Sequence, residues 1–159
     1  MENPRSPGDS LSGHMPDLSA ELDALVALPE GIDTASLDPH WQRLLDSWDA
    51  GPGHPEKYAQ CFHELALRQW HSYERASESI QRRVAIWIGG VWTVHSEPIL
   101  DPCVGIIGSL GLDSCLALIR SAIDDPSVAP SVALDLQRET ERWGDPPLDP
   151  WRDLHHDAE

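Results

Sequence analysis

The feature that most constrains this chain is its punctuation. Proline and glycine recur in small groups, at Pro29 and Gly31, Gly51 to Gly53, Pro98, Pro102, Gly105 to Gly111, Pro126 and Gly144 to Pro150, and they cut the sequence into pieces of helix length. Within most pieces the apolar residues return every three or four positions, which is the period of a helix face and not of a strand. Such pieces can be assembled into a pack of short helices.

Start and stop signals locate the individual helices. Asp17 or Ser19 can cap DLSAELDALVAL, where Leu18, Leu22, Leu25, Val26 and Leu28 fall near one face, and Pro29 and Gly31 end it. Asp38 as N-cap with Pro39 at the first helical position predicts a second helix carrying Trp41, Leu44, Leu45 and Trp48. The run from Glu56 to Ala76 contains neither Gly nor Pro and predicts the longest helix, with Tyr58, Cys61, Phe62, Leu65, Ala66, Trp70 and Tyr73 as its apolar stripe. Beyond Pro98, a short turn broken by Pro102 is expected to lead into an apolar, glycine-spaced helix. A helix starting at Asp113 or Ser114 and a last one from Pro130 to Gly144 follow.

The stretch RRVAIWIGGVWTVH, Arg82 to His95, admits two conformations. As a hairpin, Val84 to Ile88 and Val91 to His95 would be strands around a Gly89-Gly90 turn. As a helix it is almost entirely apolar and weakened by two glycines, each about 1 kcal/mol worse than alanine. An isolated hairpin is marginal in water, and no third strand pattern is present to complete a sheet, so the helix is expected. Gly89 and Gly90 would then mark a close helix approach or a kink. The fold class expected is all-α: a compact irregular bundle, orthogonal or HEAT-like, of six to seven helices around a core from Arg82 to Ile123. Residues 1–15 form a disordered extension, 16–144 the helical domain, and 145–159 a mobile or surface-draped acidic tail.

Charge is as unevenly spread as the breakers. The chain carries 27 acidic and 11 basic side chains, a formal net charge of −16. Residues 51–100 hold five of each, so the two flanks carry the whole surplus. Such a surface repels phosphate and argues against direct nucleic-acid binding, whereas it would steer a basic protein toward it. Acidity is also a simple route to solubility. Lys57 is the single lysine among ten arginines, a pattern that fits the high-GC coding bias of many acidic bacterial cytoplasmic proteins.

The residues after Met1 lack the apolar centre of a secretory signal, and no apolar run has membrane-spanning length, so the expected localisation is cytoplasmic with no membrane partner. Cys61, Cys103 and Cys115 make an odd count without CxxC spacing, which fits reduced, packed thiols better than a disulfide framework.

Candidate chemistry is sparse. His63 and His71 lie eight residues apart on one helix, about 80° and 12 Å from each other, so they cannot share a metal from that helix alone. HExxH, Walker, GxSxG and dinucleotide-loop patterns are all missing, and neither metal nor cofactor is expected. A catalytic arrangement would have to draw on His63, His71, His95 and Cys103, with Arg82 and Arg83 receiving an anionic ligand in a pocket between the long helix and the Arg82 to His95 element. Trp143 and Trp151 stand in a polar, proline-rich region, where a large ring must fold back onto the body or anchor a partner. With Asp145, Asp149 and Asp153 they are the candidate partner-binding residues. The function expected is a non-catalytic acidic module, of the inhibitor, immunity or regulatory kind, docking on a basic partner. The alternative is a small helical enzyme or ligand-binding protein with a His/Cys-lined pocket.

Overall fold

The computed structural model describes residues 17–51 and 53–152; the 1–15 extension and everything beyond Arg152 lie outside them. Seven α-helices and one 3-10 turn are found among the described residues, in the order α1 (Leu18–Val26), α2 (Thr34–Ala50), α3 (Pro55–His71), α4 (Glu78–Val91), α5 (Glu97–Leu110), the turn Asp113–Cys115, α6 (Leu116–Asp124) and α7 (Pro130–Trp143). The all-α expectation holds. The Arg82 to His95 stretch is helical through Val91, and no strand occurs among the described residues.

Caps and buried stripes set the boundaries. Asp17 begins α1, its carboxylate accepting the backbone N–H groups of Ser19 and Ala20 at 3.1 and 3.2 Å. The second helix starts earlier than its sequence signal suggests. Asp33, not Asp38, is the N-cap, accepting from the Ser36 N–H at 2.8 Å, and Pro39 lies inside the helix. The earlier start brings Leu37 fully into the core beside Trp41, which offsets the hydrogen bond that a proline cannot make. The same correction applies to Pro102, which does not break the chain into a turn. It sits inside α5, whose residues Ile99, Leu100, Cys103, Ile106, Ile107 and Leu110 form one continuous buried stripe. Conversely, α3 stops at His71 instead of Ala76, because the backbone turns through a left-handed Tyr73 at φ 58°.

The core is centred on α3, not on the Arg82 to Ile123 segment alone. α5 lies along α3, α1 and α2 pack on its other sides, and α4 bridges α2, α5 and the 3-10 turn. α3 can serve as hub because Tyr58, Ala59, Cys61, Phe62, Leu65, Ala66 and Gln69 are all buried, more than one narrow stripe. An aromatic cluster fills the α2–α3–α4 junction: Trp41 stacks on Phe62 with centroids 5.8 Å apart, and Trp87 meets Phe62 edge-on at 4.7 Å.

Polar contacts tie the helices at their ends. Gln69 accepts from Trp41 Nε1 at 3.3 Å and donates to Thr34 Oγ1 and the Glu74 carbonyl, both at 2.8 Å, locking the start of α2 to the end of α3. Arg68 donates to the carbonyls of Leu28 and Val26, satisfying the C-terminal end of α1. Arg83 reaches Asp46 and Asp49 at 2.8 and 2.9 Å and fastens α4 to α2. α7 packs on α6, and a trough runs between α7 and α5.

Candidate functional site

Two cavities meet along α5. The larger, about 790 Å³, opens between α5 and α7. Leu100, Val104, Val132 and Leu136 make its apolar floor, and Glu97, Asp101, Asp135 and Glu139 stand around it with Arg138, Arg142 and His95. The smaller, about 400 Å³, lies between α3, α5, the end of α7 and the segment Leu148 to Arg152. His63, Trp70, His71, Trp143 and Trp151 line it. Val104, Gly105, Glu139 and Arg142 belong to both, so the two form one trench, and the Arg142–Glu139 ion pair at 2.6 Å lies along its α7 wall where they join.

Two glycines make the aromatic end possible. A Cβ on Gly105 would lie 2.5 Å from His63 Nε2, and one on Gly108 would lie 2.7 Å from Trp143 Nε1. The bare backbone of α5 therefore lets an imidazole from α3 and an indole from α7 rest directly on it.

The segment after α7 closes the trench as a strap. Leu148 is buried to 2% exposure, its N–H donates to Asp113 Oδ1 at 2.7 Å, and its carbonyl accepts from the Arg75 guanidinium. Trp70 Nε1 donates to the Pro150 carbonyl at 2.6 Å, while Trp151 Nε1 donates to the Trp70 carbonyl at 2.8 Å. Each tryptophan thus binds the other's stretch of backbone. The Trp143 ring rests on Gly108 of α5 and the Trp151 ring on the end of α3.

The sequence-derived candidates are only partly brought together. His63 and His71 share the smaller cavity, with His71 edge-on to Trp70 at 5.2 Å. His63 is half-buried, and that burial holds its pKa below the ordinary 6.5, so its neutral form is favoured. His95 is exposed at the far end of the trench. Cys103 is fully buried and burial pushes its thiol up to about 12, so it presents no thiolate; Cys61 is likewise raised, to about 11. Arg83 is held by Asp46 and Asp49, and neither Arg82 nor Arg83 lines the trench, where the cations are Arg138, Arg142 and Arg152. The cavities lie along α5, not between α3 and α4 where a pocket was expected. Asp145 is exposed, Asp149 lines the smaller cavity and accepts the Trp151 N–H at 2.9 Å, and Asp153 lies outside the described residues. Among the described residues, no three His, Cys, Asp or Glu side chains gather as a metal-holding group. No helix among them is long and apolar enough to cross a membrane.

Sequence reasoning missed the trench, although its glycines were visible. Gly105 and Gly108 are spaced by three, which puts two small residues on one helix face, but the partners that fill that space come from α3 and α7, far away in the chain. Comparison with protein-family models, curated proteins and solved structures finds no match to this chain.

Proposed function

We propose that this chain is a non-catalytic acidic protein-binding module, of the inhibitor, immunity or regulatory kind, which docks on a basic surface of a cytoplasmic partner. The observation that carries this is the charge imbalance on a folded surface. With 27 acidic against 11 basic side chains, the surplus cannot be paired within the chain, and Arg43, Arg68, Arg83 and Arg142 are already engaged by carboxylates. One-signed carboxylates raise association rates with a basic partner and discriminate against others. In this scheme Trp143, at the end of α7, and Trp151, on the strap, hold the trench walls, while Asp145 and Asp149 contribute negative charge toward the partner; Asp153 is assigned with them by its place in the sequence.

The test is capture of partners from the native host at low ionic strength, identified by mass spectrometry and repeated at rising salt. A basic partner released steeply between low and moderate salt is expected. If neutralising the Asp and Glu clusters leaves biological activity untouched while replacing His63 abolishes it, the proposal fails. Competition by duplex DNA for the same partner would identify the narrower case in which the acidic surface imitates nucleic acid.

A second reading, a small helical enzyme or ligand-binding protein that accepts an anion, is favoured by one observation: His63 and His71 line the same cavity as Arg142 and Arg152. Its signature is a thermal shift with inorganic phosphate or another small anion, lost in Arg152→Ala.

A further inference from the structure

We propose that the groove between α5 and α7 is the seat of a basic amphipathic helix from the partner protein. This rests on the acidic-docking function above and names its site. The groove combines what such a helix needs. Leu100, Val104, Val132 and Leu136 supply an apolar floor, and the carboxylates of Glu97, Asp101 and Asp135 stand around it. The exposed Asp125 extends the negative charge past His95, which faces it. From Glu97 to Gly105 the wall runs about 12 Å along α5, enough for two turns of a docked helix.

The charges select the occupant. Residues 1–16 carry Glu2 and Asp9 against Arg5, and residues 153–159 carry Asp153, Asp157 and Glu159, so neither of these segments suits a carboxylate-lined groove. A second copy of a chain with net charge −16 suits it no better. A foreign segment bearing Arg or Lys on both sides of an apolar stripe matches floor and carboxylates together. It would bind as a helix because the groove walls are themselves helices, whose backbone groups are already bonded and offer no edge to an extended strand. Arg138 and the Arg142–Glu139 pair mark the end at which the occupant's positive charge should stop, next to the tryptophan-lined part of the trench.

The probe is a fluorescein-labelled 14-residue Leu/Arg peptide patterned as an amphipathic helix, titrated into the full chain at low ionic strength and followed by anisotropy. A peptide of the same composition with the apolar stripe scrambled is the control. Expected are saturable binding of the patterned peptide, weaker binding of the scrambled one, and a loss of about tenfold or more in affinity in the combined variant Glu97→Gln, Asp101→Asn, Asp135→Asn. The combined variant Asp23→Asn, Glu30→Gln, Glu74→Gln, which removes equal charge away from the trench, should bind as the parent does. Circular dichroism verifies that both variants keep their helices. If the two variants lose affinity equally, or the two peptides bind alike, the groove is not the seat, although acidic docking stands. If neither peptide binds saturably while a captured native partner still shows steep salt release, the groove proposal falls alone. If that salt release is also missing, the function falls with it.

Discussion

At the scale of single residues, burial decides what each polar group can do. Gln69 is 1% exposed, yet both ends of its amide are bonded, so it acts as a joint between α2 and α3. Gln69→Met keeps the shape but leaves the Trp41 N–H without its acceptor. The substitution should cost about 1–3 kcal/mol in chemical denaturation, and a loss below about 0.5 kcal/mol would show the network to be dispensable. His63 gives a pH signature. Its folded pKa lies below 6.5, so the unfolded chain takes up the proton more readily. Its contribution is therefore full above that value and is lost as pH falls toward the folded pKa. Tm should decline on acidification below about pH 6.5, and His63→Gln should flatten part of that slope; His40, also held low by burial and by Arg43, supplies another part. The sequence alone indicated that the cysteines would be buried. It could not indicate that His63 and His71, about 80° apart on one helix, would face one cavity, because the opposite wall comes from α5, α7 and the strap.

At the scale of helices, glycine has opposite meanings in α4 and α5. A Cβ on Gly89 or Gly90 would meet nothing within 4 Å, so of the two roles expected, a close approach or a kink, the close approach is not the one they serve. Gly89→Ala and Gly90→Ala should each stabilise the protein by about 0.5–1 kcal/mol through helix propensity. Gly105→Ala and Gly108→Ala should destabilise it by about 1 kcal/mol or more, because His63 and Trp143 must move aside. Thermal melts of the four single variants would check the pairing of signs. Helix existence and type were readable from apolar spacing, whereas the helical state of Arg82 to Val91 was readable only from the lack of a third strand pattern for a hairpin to join. The boundaries at Pro39 and Pro102 were not, since local proline chemistry was overridden by the burial of Leu37 in α2 and of Ile99 and Leu100 in α5. The α5–α7 groove was invisible for a related reason: it lies between helices whose placement depends on partners distant in the chain, and no local pattern encodes a gap.

At the scale of the whole molecule, the strap makes the C-terminal region part of the fold. Trp151→Phe removes one hydrogen bond to the Trp70 carbonyl and should cost about 1 kcal/mol. Ending the chain after Gly144 should uncover Trp70, shift tryptophan emission to the red and lower Tm while the helical signal persists. Unchanged emission would mean that the strap does not shield Trp70 in solution. Composition suggested a mobile or surface-draped acidic stretch from residue 145 onward; the anchoring of its described part by Leu148 and Trp151 was not legible because it depends on partners at Asp113, Arg75 and Trp70. Those partners are distant: the Trp70–Trp151 contact spans 81 positions. On the ribosome, α3 emerges long before its fastener has been made. Vectorial synthesis therefore finishes the trench last, because α7 and the strap that complete it follow α3 and α5 out.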